Sequence, residues 1–165
     1  MSLLKEKGLS RKRLLAIAEN FLKDGKTVRV TAGGSSMFPY LLKGDVAIIE
    51  PEKIENLKKG DVIVFKTSEK FIAHRLIRIK KDERHGLHLI SKGDFRTDYD
   101  HPVTKNSYLG KITAFERNGK EISLTSENRK KVHKIMAFFS TISFPVLKVL
   151  YLTGKIRRFF RKSLH

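Results

Sequence analysis

The stretch Gly33-Gly34-Ser35-Ser36-Met37-Phe38-Pro39 decides how this chain reads. It leaves an apolar, β-branched run at 27–32 and is followed by Leu42-Lys43-Gly44-Asp45 and a second apolar run. Two glycines allow a tight backbone and leave an approach path for another chain. A hydroxyl held on such a turn can be presented with its own N–H free to bind an oxyanion. Gly-Gly-Ser-Ser is also common in plain loops, so its surroundings must carry the argument.

Outward from that turn, residues 27–125 are short apolar runs separated by Gly, Asp, Asn and Pro. The runs at 27–32, 45–50, 62–66, 71–79, 87–91, 108–117 and 121–124 are expected as strands. Asn118-Gly119 between the last two is a two-residue hairpin signal. Lys-Gly-Asp occurs at 43–45, 59–61 and 92–94, which reads as three turns at strand ends. With no alternation of strands and long helices, the expected class is mainly β: a mostly antiparallel domain flanked by short N- and C-terminal helices.

The two ends differ from this middle. Residues 1–26 read as an amphipathic helix, with Leu14, Leu15, Ile17, Ala18, Phe21 and Leu22 at helical spacing and Ser10 as a candidate N-cap. Charges interrupt every apolar stretch there, so neither a cleavable signal peptide nor an N-terminal span is expected. There is also too little room for a helix-turn-helix. Residues 126–165 return to helical character. After Glu127 there is no acidic residue, while ten lysines and arginines follow. Lys134, Thr141, Lys148, Lys155 and Lys162 recur every seven residues, making one polar stripe beside Phe138, Phe139 and Ile142. A basic amphipathic segment lying on an anionic membrane is the preferred expectation, with Lys134, Phe138, Phe139, Ile142, Lys148, Lys155 and Arg158 as contacts. A short C-terminal span is the alternative, opposed by Lys148 near its centre.

Composition bounds the chemistry. The 165 residues hold 35 Lys+Arg against 17 Asp+Glu, a formal charge of +18. Anionic partners are favoured, either phospholipid or nucleic acid. No cysteine is present, which excludes disulfides and thiol catalysis. His85, His88 and His101 make a poor zinc set without cysteine or a helix-borne glutamate, so no metal and no cofactor is expected.

Four ordered boxes resemble the signal peptidases and the self-cleaving repressors. Gly34-Ser35-Ser36-Met37 with Pro39 matches the opening box, Lys59-Gly60-Asp61-Val62-Ile63-Val64-Phe65 the second, Ala73-His74-Arg75-Leu76-Ile77 the third, and Ser91-Lys92-Gly93-Asp94 with Asp98 and Asp100 the fourth. The resemblance covers about residues 27–125. Bacterial-type signal peptidases and the repressors carry lysine in the third box. Histidine there resembles the endoplasmic-reticulum and archaeal kind. The resemblance implies Ser36 as nucleophile, His74 as general base, and an aspartate orienting the imidazole: Asp100 first, Asp94 second, Asp98 third. It also implies a peptide or preprotein substrate whose leader or signal segment is removed. The chain departs from the signal peptidases at Gly34, where they usually have a hydroxyl that helps bind the oxyanion. The oxyanion donors are then expected to be the Ser36 N–H and Ser35.

The expected chemistry is consistent with the residue types. A serine hydroxyl is a poor nucleophile until a base takes its proton. An imidazole can do this at neutral pH, and a carboxylate on its far nitrogen fixes the tautomer. The expected location is peripheral, on the cytoplasmic side of a membrane. The rival expectation is a repressor-like or nucleic-acid-binding protein whose peptidase fold is regulatory or inert. The charge favours it, but nucleic acid is the less expected partner, because a DNA-reading domain is missing and aromatics are scarce around the basic residues outside the tail.

Overall fold

β-Branched and aromatic residues crowd the segments Val62–Lys66 and Tyr108–Arg117, and both are strands from end to end. The computed structural model describes residues 11–68, 70–82 and 86–124. Its elements are α1 (Arg11–Lys23), β1 (Val28–Thr31), β2 (Val46–Glu50), a 3-10 turn (Ile54–Asn56), β3 (Val62–Lys66), β4 (Phe71–Asp82), β5 (Gly86–Lys92), β6 (Val103–Thr104), β7 (Tyr108–Arg117) and β8 (Lys120–Ser123). All pairings are antiparallel, in the order β1-β2-β7-β3-β4-β5-β6, with β8 also on β7. The expected mainly β, antiparallel class holds, and the sheet curls into a half-barrel.

The middle strand β7 joins two parts of the sheet. Along one edge it pairs with β2, and along the other its first half pairs with β3 and its second with β8. Gly110 in β7 permits the first of these contacts, since a Cβ there would lie 2.4 Å from the Glu50 carbonyl oxygen. The β7–β8 hairpin turns through Asn118 and Gly119, both at positive φ (53° and 76°), the conformation that an Asn-Gly pair favours.

The side chains of Ile54, Leu57, Ile63, Phe65, Leu76, Leu89 and Val103 form a core cluster. Burying a side chain of this size is worth about 1.5–3 kcal/mol each. Helix α1 buries Ala18 and Leu22 and lies beside β1 and β7. Its Glu19 accepts Lys23 at 2.7 Å and Lys66 of β3 at 2.5 Å. Both lysines hold the Glu19 carboxyl below its ordinary value, against a smaller opposing effect of burial.

The strand at 71–79 extends to Asp82, because backbone pairing with β5 carries Lys80, Lys81 and Asp82 along. The two-residue β6 was not expected. Among the described residues no helix is long and apolar enough to cross a membrane. The chain divides into two compact units, Met1–Ser123 and Leu124–His165. The candidate cap Ser10 and the expected membrane contacts Lys134, Phe138, Phe139, Ile142, Lys148, Lys155 and Arg158 lie outside the described residues.

Candidate active site

Three separate pieces of chain supply the site. Ser36 stands on the turn between β1 and β2, His74 in the first half of β4, and Asp100 on the segment after β5. His74 Nε2 lies 2.9 Å from Ser36 Oγ, and His74 Nδ1 lies 2.7 Å from Asp100 Oδ2. The structure therefore brings together the three residues that the resemblance ranked first.

The imidazole is held by strand geometry. His74 pairs with Ile63 of β3, and alternation along β4 points it to the face shared by Ile63, Phe65 and Leu76. It is 5% exposed, with the Phe65 ring edge-on at 6.3 Å. Such surroundings exclude water and strengthen the hydrogen bonds inside them. Arg75, next along the strand, points the other way. Its guanidinium lies 4.6 Å from the Tyr40 ring centre, donates to Asp94 at 2.7 and 2.6 Å, and donates to the Gly60 carbonyl at 2.8 Å. Burial is the largest single effect and opposes the charge on Arg75, but Asp94 and Tyr40 together outweigh it and the guanidinium pKa is raised. Asp94, second candidate to orient the imidazole, is thus committed to Arg75. Asp98 is exposed and receives Thr97 Oγ1 at 3.1 Å.

The nucleophile turn is fixed from both sides. The Ser36 carbonyl accepts the Phe95 N–H at 2.7 Å, and the Phe38 and Phe95 rings meet edge to face at 5.5 Å. At its far end Asp45 receives Arg117 of β7 at 2.9 and 2.6 Å, and Arg117 also donates to the Tyr40 carbonyl. Ser35 takes part through its carbonyl, which accepts the Phe38 N–H at 3.0 Å. Gly33 and Gly34 are exposed, and a Cβ on either would meet nothing within 4 Å. Open space thus borders the turn at both glycines. Gly93 is the opposite case. A Cβ there would come within 2.8 Å of the Ser36 carbonyl oxygen and 3.0 Å of His74 Nε2.

The three Lys-Gly-Asp turns do different work. In the first two, Asp45 and Asp61 each accept the N–H three residues back, from Leu42 and Lys58, and the glycine has φ 97°. In the third, Asp94 reaches Arg75, and the residue three back is Ser91. Ser91 is fully buried and donates its hydroxyl to Asp100 Oδ2 at 2.7 Å. Sequence reasoning passed over Ser91 and the Arg75–Asp94 pair. The one available signal was that the third copy of the tripeptide is preceded by a hydroxyl rather than by Leu42 or Lys58.

Of the histidines considered for a metal, His88 sits in β5 opposite Thr104 and Lys80, His101 is exposed, and His85 lies outside the described residues. Among protein families, the model described as Peptidase S24-like matches residues 4–100. That span contains Ser36, His74, Asp94 and Asp100. No curated protein matches the chain.

Proposed function

We propose, from the premise that the chain belongs to the Peptidase S24-like family, that it is a serine endopeptidase that removes a leader or signal segment from a peptide or preprotein at a membrane surface. The observation that carries this reading is the unbroken chain of contacts Ser36 Oγ, His74 Nε2, His74 Nδ1 and Asp100 Oδ2.

Ser36 Oγ attacks the scissile carbonyl carbon while His74 Nε2 takes its proton. The imidazolium so formed keeps its Nδ1–H on Asp100, which stabilises the charge and holds the ring in line. The Ser36 N–H, with help from Ser35, receives the oxyanion. On collapse the C–N bond breaks and Nε2 returns the proton to the leaving amine. Water then adds to the acyl carbon as Nε2 takes its proton, the C–O bond to Ser36 breaks, and Nε2 returns that proton to Oγ as the acid product leaves. His74 replaces the lysine of the bacterial-type signal peptidases and repressors, so this chain belongs mechanistically with the Ser-His kind.

The family also takes in self-cleaving repressors, and the charge of +18 favours the second reading, a nucleic-acid-binding protein with a regulatory or inert peptidase fold. Incubation with leader-bearing peptides, followed by mass spectrometry, separates the two. Cleavage by the wild type and none by Ser36→Ala supports the peptidase. Duplex DNA retarded without any cleavage supports the rival.

A further inference from the structure

Ser91 touches Asp100 twice. Its carbonyl accepts the Asp100 N–H at 2.9 Å, and its hydroxyl donates to Asp100 Oδ2 at 2.7 Å. That is the same oxygen that faces His74 Nδ1 at 2.7 Å. One bond fixes the backbone of Asp100 and the other fixes its carboxylate. Ser91 itself has no freedom to move: it is fully buried and paired in the ladder opposite Leu76, two residues beyond His74 on β4. The grip on the carboxylate is therefore built from the strand that neighbours the base.

Asp100 needs such a grip. It lies on the segment after β5, outside any strand, and its side chain is partly exposed. A carboxylate so placed can rotate out to water unless a donor on the protein side holds it. We propose that Ser91 is a positioning residue for the proton relay: it holds Asp100 Oδ2 in line with His74 Nδ1, so that the Nε2 lone pair stays aimed at Ser36. This rests on the peptidase reading for its kinetic consequence, though not for its structural one.

The test uses the full-length chain and two readouts. Ser91→Ala removes the donor with little change in volume. Its kcat is expected to fall roughly ten- to a hundredfold, the worth of one hydrogen bond to a charged group. KM is expected to stay within about twofold, since substrate does not contact Ser91. Ser91→Thr, which restores a hydroxyl, should recover part of that loss. Independently of turnover, proton NMR should show in the wild type a low-field resonance from the hydrogen-bonded His74 Nδ1–H. The resonance should be lost to exchange in Ser91→Ala, as in Asp100→Asn. A folded Ser91→Ala protein that keeps both the resonance and wild-type kcat overturns the proposal. Should the wild type cleave nothing, the resonance still decides the grip, so the two failures are told apart.

Discussion

At the scale of single residues, the site depends on atoms with almost no tolerance. Ser36→Ala and His74→Ala are expected to lower cleavage by several orders of magnitude each, and the double variant by little more, because the members act as a unit. Asp100→Asn should cost roughly 10³–10⁴-fold in kcat by the precedent of other serine hydrolases. Gly93→Ala is the sharper test, because Gly93 carries no chemistry. A methyl group 3.0 Å from His74 Nε2 must push the ring or the Ser36 turn aside. We expect a loss of stability of about 1–3 kcal/mol, the usual cost of overpacking. The fall in kcat should be far larger than that cost explains, measured by urea melts beside single-turnover kinetics. Much of this scale was legible in the sequence. Ser36, His74 and Asp100 stood out because four boxes in order constrain one another. Ser91 did not, since a hydroxyl ahead of the third Lys-Gly-Asp shows neither its burial nor its contact with Asp100. Asp100 ranked ahead of Asp94 only by its offset from the third Lys-Gly-Asp; the contact of Asp94 with Arg75 could not be read there.

At the scale of elements, two ties hold the strands that carry these groups. Arg75 and Asp94 are nearly buried, with side chains 10% and 3% exposed. Removing one partner strands a buried charge, so Asp94→Ala should destabilise by about 3–5 kcal/mol in a denaturant melt. Glu19 ties α1 to β3. Its folded pKa lies below the ordinary 4.5. The stability that it confers is therefore present above 4.5 and is lost as pH falls through the lower folded value. Glu19→Gln should flatten that part of the stability curve, lowering stability in melts at neutral pH, where the contribution is present, and leaving melts below the folded value little changed. Strands were legible where β-branched and aromatic residues fill them, as in β3 and β7. The charged end of β4 was not, because pairing with β5 holds it and its composition does not; β6 was not, because Val103 and Thr104 are too short a run to show a pattern.

At the scale of the whole molecule, the charge of +18 awaits its partner. Flotation of the full-length chain with vesicles is expected to show binding to anionic lipid and none to zwitterionic lipid, weakening as salt is raised. Reversing Lys134, Lys148, Lys155 and Arg158 to glutamate should abolish it while leaving cleavage of a soluble peptide intact. Retention on the anionic vesicles after that reversal would refute this membrane-contact assignment. The contact was readable as a pattern of sevens, and its residues lie outside the described ones.

The place of β7 in the sheet has a consequence for synthesis. Every atom of the proton relay has left the ribosome once Asp100 has, yet the hairpin bearing Ser36 and the meander bearing His74 are joined in the sheet through a strand that starts only at Tyr108. A nascent chain paused between those points holds Ser36, His74 and Asp100 but lacks the strand that joins the two parts of the sheet. On the proposed peptidase reading, competence for cleavage is then expected only after translation has passed the last residue of the relay.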